Sequence, residues 1–282
     1  MKHILASILL VAFLFPSLAL GEEVPWDDLV RTNGLYYKKF TDVPFTGKTT
    51  GQIQGSFKDG VADGPWVEYW DNGRLQSRIF YKNGEKEGPS VWYYDDGQVR
   101  QKGDYKNGKA EGPWVVYHDN GQLDRKGDFK NGQYEGPWVV YHDNGQLRDK
   151  GDYKNGKAEG PWVSYHDNGQ LSEKGDYKNG EKEGPWVSYY DDGQVNMKGT
   201  FKDGKEEGPS VFYFDDGQLW GKGDFKNGEM EGPWVEYNDN GQLLYEGNYK
   251  NGRREGPWVV YNSDGTVWEE HTGTYKNDVK VD

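Results

Sequence analysis

The chain has 282 residues, a formal net charge of −13 and no cysteine. The negative balance disfavours nucleic acid and anionic membrane surfaces as partners, because both need a basic footprint; a basic partner, or simple solubility, suits it better. Without cysteine there is neither a disulfide framework nor thiol chemistry, and an apolar fraction of 33% with 16% aromatic residues argues for a thin structure rather than a thick core.

Residues 1–21 read as a secretory signal. Lys2 is the short positive region, Ile4 to Leu20 is an apolar run broken by Pro16, and Ala19-Leu20-Gly21 places small residues where a signal peptidase reads. The expected product begins at Glu22, is exported to a periplasmic or extracellular location, and keeps no transmembrane span. The apolar run is short for a bilayer crossing. Residues 22–63 form a degenerate opening, with Gly34-Leu-Tyr-Tyr, Val43-Pro-Phe-Thr-Gly47 and Gly55-Ser-Phe-Lys-Asp-Gly60.

From residue 64 to 282 a Gly-Pro pair returns every 24 residues, nine times, from Gly64 to Gly256. A strict period of this length marks one stacked supersecondary unit. Counting each unit from its glycine, position 2 is always Pro, position 4 Val and position 6 Tyr. Two Asn-Gly or Asp-Gly pairs per unit leave two segments of about seven residues, each strand-sized and rich in Val, Tyr, Trp and Phe. The prediction is all-β: an elongated repeat meander of stacked antiparallel β-hairpins, nine full units plus degenerate caps. Two strands per unit at ~4.8 Å each would extend nine units to ~86 Å. The last unit departs from the period, with two extra residues in Val267-Trp-Glu-Glu-His-Thr-Gly273.

The register depends on the first turn. We read its Asn-Gly as closing a three-residue turn, which sets Val115, Tyr117, Leu123 and Phe129 on one face. A two-residue turn would instead lay the position-3 Trp over the opposing glycine. Position 3 is Trp in seven units and Ser90 or Ser210 in two, and in those two units position 5 becomes Trp92 or Phe212. Positions 3 and 5 share a face of a strand, so the ring moves along that face without being lost.

The run Tyr105-Lys-Asn-Gly-Lys-Ala-Glu-Gly-Pro-Trp-Val-Val-Tyr117 resembles the MORN repeat in its bacterial variant form. The resemblance extends from about residue 34 to 276, and the opening with Val43-Pro-Phe-Thr-Gly47 is similar to the antitoxin-type members. It implies a non-enzymatic repeat protein that binds another protein, in some members a co-encoded toxin. The signal departs from a cytoplasmic antitoxin and points to an exported partner.

Candidate chemistry is sparse. His118, His142 and His166 recur at position 7, but equivalent residues two strands apart lie about 9.6 Å apart, whereas zinc ligands sit about 2.0–2.1 Å from the ion. They read as half-exposed aromatic-like residues, and Asp95-Asp96, Asp191-Asp192 and Asp215-Asp216 as turn residues. No metal or cofactor is expected. The Lys at position 19 and the Glu at position 24 read as a solvated face. No nucleophile–base set or phosphate loop stands out, so a hydrolase acting on envelope polymers is the weakest reading. The candidate binding face comprises Trp66, Trp70, Trp92, Tyr94, His118, His142, His166, Phe212 and Phe214. The two readings it supports are a module for a protein partner, a toxin among them, and an envelope scaffold binding glycan or cell-wall polymer. Homo-oligomerisation by end-strand pairing stays open.

Overall fold

The computed structural model describes residues 21–282, so the signal segment lies, up to residue 20, outside the described residues. These residues form two compact bodies divided between Glu85 and Lys86. Both are all-β, and no helix among the described residues is long and apolar enough to cross a membrane.

The first body contains strands β1 (Glu22–Pro25), β2 (Leu29–Thr32), β3 (Leu35–Lys38), β4 (Gly47–Thr50), β5 (Ile53–Lys58), β6 (Val61–Tyr69) and β7 (Leu75–Lys82). β1 pairs in parallel with β4, β4 to β7 run as an antiparallel meander, and β2–β3 is a separate hairpin. Its core gathers Val24, Phe45, Phe57, Trp66 and Ile79. Trp26, from a single 3-10 turn, closes on this core with its ring 5.6 Å from those of Tyr36 and Trp66.

The second body is the repeat meander. In the unit that starts at Gly112, strand Lys109–Tyr117 pairs antiparallel with Leu123–Lys130, which pairs with Gln133–Tyr141. The unit uses two different turns. In the first, Gly121 N–H donates to His118 O and His118 N–H to Gln122 O, with Gly121 at φ 81°. This is a three-residue loop closed by a left-handed glycine, as expected. In the second, Asn131 (φ 53°) and Gly132 (φ 81°) lie between the paired Lys130 and Gln133, a two-residue turn in which both central residues have positive φ.

The register departs from expectation in one respect. Tyr117 pairs with Leu123 but Val116 pairs with Arg125, so Asp124 is an extra residue. A bulge of one residue reverses the side-chain alternation beyond it. Val115, Tyr117 and Leu123 therefore share a face as expected, while Phe129 moves to the opposite face with Trp114. Trp114 comes to lie opposite Gly127 even though the turn is the three-residue one. A second irregularity explains the Gly-Pro signature. Gly103 pairs with Trp114 and Asp104 with Glu111, leaving Gly112 and Pro113 as a bulge. Gly112 takes φ 73° there, and a Cβ on it would meet nothing within 4 Å. Conformation, not space, demands glycine at this position.

Gly127 is the converse case: a Cβ built on it would lie 2.3 Å from the Trp138 ring. Each position-3 indole lies on the position-16 glycine of the preceding unit, an aromatic cover over a strand glycine. These indoles make up most of what is buried in the repeats: Trp114, Trp138, Trp186, Trp234 and Trp258 are between 2% and 7% exposed. The opposite face, with Val115, Tyr117 and Leu123, is half-buried, and lysine stems run across it, as where Lys174 Nζ sits 5.8 Å from the Tyr189 ring.

Candidate binding surface

One face of the repeat body is a ladder of rings. Trp114, Phe129, Trp138, Tyr153, Trp162, Tyr177, Trp186 and Phe201 follow one another edge to face, with centroids 5.1 to 6.3 Å apart. Such pairs contribute about 0.5–1.5 kcal/mol each beyond their buried area. Where position 3 is serine, the ring enters from position 5. Trp92 packs on Tyr105 and Trp114 at 6.0 and 5.9 Å, and Phe212 on Phe225 and Trp234 at 6.2 and 5.9 Å. Ser90 and Ser210 themselves are buried, each 1% exposed.

The sequence-predicted residues divide between two locations. Trp66, Trp92 and Phe212 belong to ring clusters on the sheet, Trp66 in the first body and the other two in the second. Trp70, Tyr94, His118, His142, His166 and Phe214 occupy position 7, where the first turn begins. There four of them link consecutive units. Tyr94 Oη donates to Tyr117 O at 2.7 Å, and the Nε2 atoms of His118, His142 and His166 lie 3.2, 3.0 and 3.0 Å from the carbonyls of Tyr141, Tyr165 and Tyr189. The backbone amide of Phe214 closes its own turn onto Gln218 O. Trp70, in the first body, holds its buried indole Nε1 without an acceptor among the described residues.

A second row of links was read from sequence as a solvated face. The position-24 carboxylates accept hydrogen bonds from the first amide of the two-residue turn in the following unit. Asn131 N–H reaches Glu111 at 2.7 Å, Asn155 reaches Glu135 at 2.9 Å and Asn179 reaches Glu159 at 2.8 Å. Gly132 N–H also donates to Ala110 O at 2.9 Å. The glutamates thus tie turn to turn, while the position-19 lysines are exposed.

Sequence reasoning missed the residues that frame the rings. The Asp124-type bulge brings position 14 onto the ladder face, and position 23 joins it through its pairing with position 18, as Phe129 pairs with Tyr134. Position 14 runs Gln101, Arg125, Asp149, Glu173, Met197, Gly221, Tyr245 across the units; position 23 runs Lys86, Ala110, Tyr134, Ala158, Lys182, Glu206, Met230, Arg254. Their variability beside invariant neighbours was a signal available in the sequence. Position 23 reaches the next unit's indole: Tyr134 lies 4.2 Å from Trp138 between centroids, Lys182 Nζ 4.0 Å from Trp186, and the Arg254 guanidinium 5.7 Å from Trp258.

The electrostatics follow from this packing. Burial pushes the phenols of Tyr105, Tyr153 and Tyr177 above the ordinary 10.0; the nearby charges of Asp149 and Glu173 add to the rise at Tyr177. Tyr245 is raised further by burial and by donating to the Glu236 carboxylate. Burial also raises the carboxyl of Glu206, partly offset by its bond from Ser210 Oγ at 3.3 Å. Chemically, the face offers flat apolar rings framed by side chains that change from unit to unit.

Comparison with known proteins agrees with the period. The family described as MORN repeat variant matches residues 62–83, 86–107, 110–131, 134–155, 158–179, 182–203, 206–227 and 230–251, and the MORN repeat itself matches 126–137 and 222–233. No curated protein matches. Among solved structures, a TcdB2-TccC3-Cdc42 crystal structure aligns at 11% identity and TM-score 0.19, over 76% of this chain and 14% of that one. Choline binding protein F from Streptococcus pneumoniae aligns at 13% identity and TM-score 0.17, over 88% of this chain and 97% of that one. At these TM-scores neither likeness establishes a shared fold or function, and the chain spans only about 14% of the first structure's length. The eight consecutive matches cover more than half of the chain, and with the hairpin period they place it in the MORN repeat variant family.

Proposed function

We propose that this chain is a non-catalytic, exported repeat module that binds a protein partner through the ring face of its hairpin meander. The observation that carries the reading is the pairing of constancy with variation on one surface. The ladder of rings persists, while positions 14 and 23 around it vary in charge and size along the body, and position 5 varies too, though it repeats Val at 116 and 140 and Ser at 164 and 188. The opposite face repeats Val, Tyr, Leu or Val, and Lys almost without change. A constant scaffold with a variable frame is how a repeat surface acquires selectivity for one partner. Aromatic residues are also enriched at the centres of protein interfaces.

Export rests on the Lys2-to-Gly21 signal pattern, and the antitoxin-type opening supports a partner that is a toxin acting in the envelope. Affinity capture from envelope extract, with the bound proteins identified by mass, tests the reading. The expected result is one stoichiometric protein. Sedimentation with cell-wall material and no protein captured would favour a glycan-binding scaffold instead.

A further inference from the structure

Of the seven position-3 tryptophans, six are buried and Trp162 alone is half-buried. The cause is local. Tyr134 lies against Trp138 and Lys182 over Trp186, but the residue that would lie over Trp162 is Ala158. Trp114 also follows an alanine, Ala110, yet it is covered by Trp92 from position 5; the position-5 residue before Trp162 is Val140. An open cleft of about 620 Å³ lies there, with Trp162, Tyr153 and Tyr177 as its rings and Asp149, Glu173 and Ser164 beside them.

The next unit shows what such a site accepts. Lys182 Nζ sits 4.0 Å above the Trp186 ring and donates to Glu173 Oε2 at 2.8 Å. One unit earlier the same positions hold Ala158, Trp162 and Asp149: ring and carboxylate are kept and the ammonium is missing. Asp149 is engaged by Ser164 Oγ at 2.8 Å and by the half-exposed Arg148 Nε at 2.7 Å, while Glu173 Oε1 meets no donor among the described residues. The charged residues lining the cleft are Asp149, Glu173 and Glu181 against Lys157, and Arg148 and Lys182 pair with the first two, so it is the uncovered indole face with a carboxylate beside it, as under Lys182, and not a local excess of negative charge, that suits a cation.

We propose that the cleft over Trp162 receives a lysine or arginine side chain of the protein partner, held between the indole face and the Asp149 and Glu173 carboxylates as the chain's own Lys182 is held over Trp186. A cation above an indole is attracted by the ring's negative face, and the net charge of −13 steers a basic partner toward it. The inference rests on the protein-binding reading of this face.

The test titrates the purified protein with Nα-acetyl-lysine methylamide and Nα-acetyl-arginine methylamide, using the norleucine analogue as the uncharged control. The readout is the indole N–H resonance of Trp162, assigned with Trp162→Phe. Saturable shifts with both basic probes and none with the control are expected. Asp149→Asn should weaken binding about fivefold, in keeping with a partly exposed ion pair. Ala158→Lys should supply the ammonium from the chain itself and abolish the shift, with the other indole resonances unmoved as evidence of an intact fold. Equal shifts from the norleucine analogue, no shift with either basic probe, or undiminished binding by Ala158→Lys would overturn the proposal. In the capture experiment, unchanged partner binding by Ala158→Lys would overturn the cleft but leave the protein-binding reading standing, whereas no partner for either form would remove that reading itself.

Discussion

At the scale of single residues, two glycines of one unit are kept for opposite reasons, and substitution should separate them. Gly127 is extended but lies under the Trp138 ring. Gly127→Ala forces that indole off the sheet and should cost about 2–3 kcal/mol, toward the upper end of overpacking penalties. Gly112 has open space but a left-handed backbone, so Gly112→Ala should cost about 1 kcal/mol and leave the indole in place. Urea denaturation gives the energies, and the Trp138 indole resonance shows which change moved the ring. Equal costs, or a Trp138 resonance displaced by Gly112→Ala, would contradict the assignment. Both glycines are visible in the sequence as recurring positions, Gly112 in all nine units and Gly127 in all but the first, where Ile79 stands, and the last, where the glycine shifts to Gly273. Their separate reasons are not, because those depend on where the neighbouring strand's bulge falls.

At the scale of the hairpin, the turns and strands were legible from Asn-Gly spacing and β-favouring residues, and so was the three-residue first turn. The bulge at Asp124 was not. It is a residue of no special type whose effect is to reverse the faces beyond it, so Phe129 changed sides and positions 14 and 23 entered the surface unseen. The position-7 histidines were recognised as a row, but their role as links to the next unit's carbonyls needed the stacking geometry. Two predictions belong here. Glu135→Gln removes the carboxylate that accepts Asn155 N–H and should cost about 1 kcal/mol, seen as faster hydrogen exchange at Asn155 with no change at Asn107, whose partner is Glu87. Glu206 sits beside Ser210 where most units place a ring on the strand glycine, and burial raises its carboxyl. A raised folded value means stability is fully present below the unfolded value and is lost as pH rises through the folded one. Glu206→Gln should therefore raise the thermal midpoint at neutral pH and have little effect at acid pH. A lower midpoint at neutral pH would show that the carboxylate is instead needed there.

At the scale of the whole molecule, the repeat body spreads its stability along a thin sheet, while the first body gathers a small core of its own. The buried set is short and dominated by indoles, and most other rings are phenols. Tyr105, Tyr153, Tyr177, Tyr245 and Tyr249 all have raised values, with burial as the leading cause. Above the ordinary phenol value of 10.0 the unfolded chain loses these protons while the folded chain keeps them. Stability should therefore fall as pH climbs beyond about 10, with tyrosinate absorbance and loss of β-sheet circular dichroism rising together. Phenols that titrate freely while the sheet persists would contradict the packing. The fold class could be read from the 24-residue beat alone; the working surface could not, since it is defined by the residues that escape the beat.

The central claim is that the ring face, and not the lysine-crossed face behind it, meets the partner. Neighbouring residues of one strand point to opposite faces, so a photo-crosslinking residue placed at Ser164 or Val140 probes the ring face, and one placed at Val163 or Val139 probes the other. Incubation with envelope extract and irradiation should yield a single crosslinked protein from Ser164 and Val140, and none from Val163 and Val139. Crosslinking confined to Val163 and Val139 would contradict it.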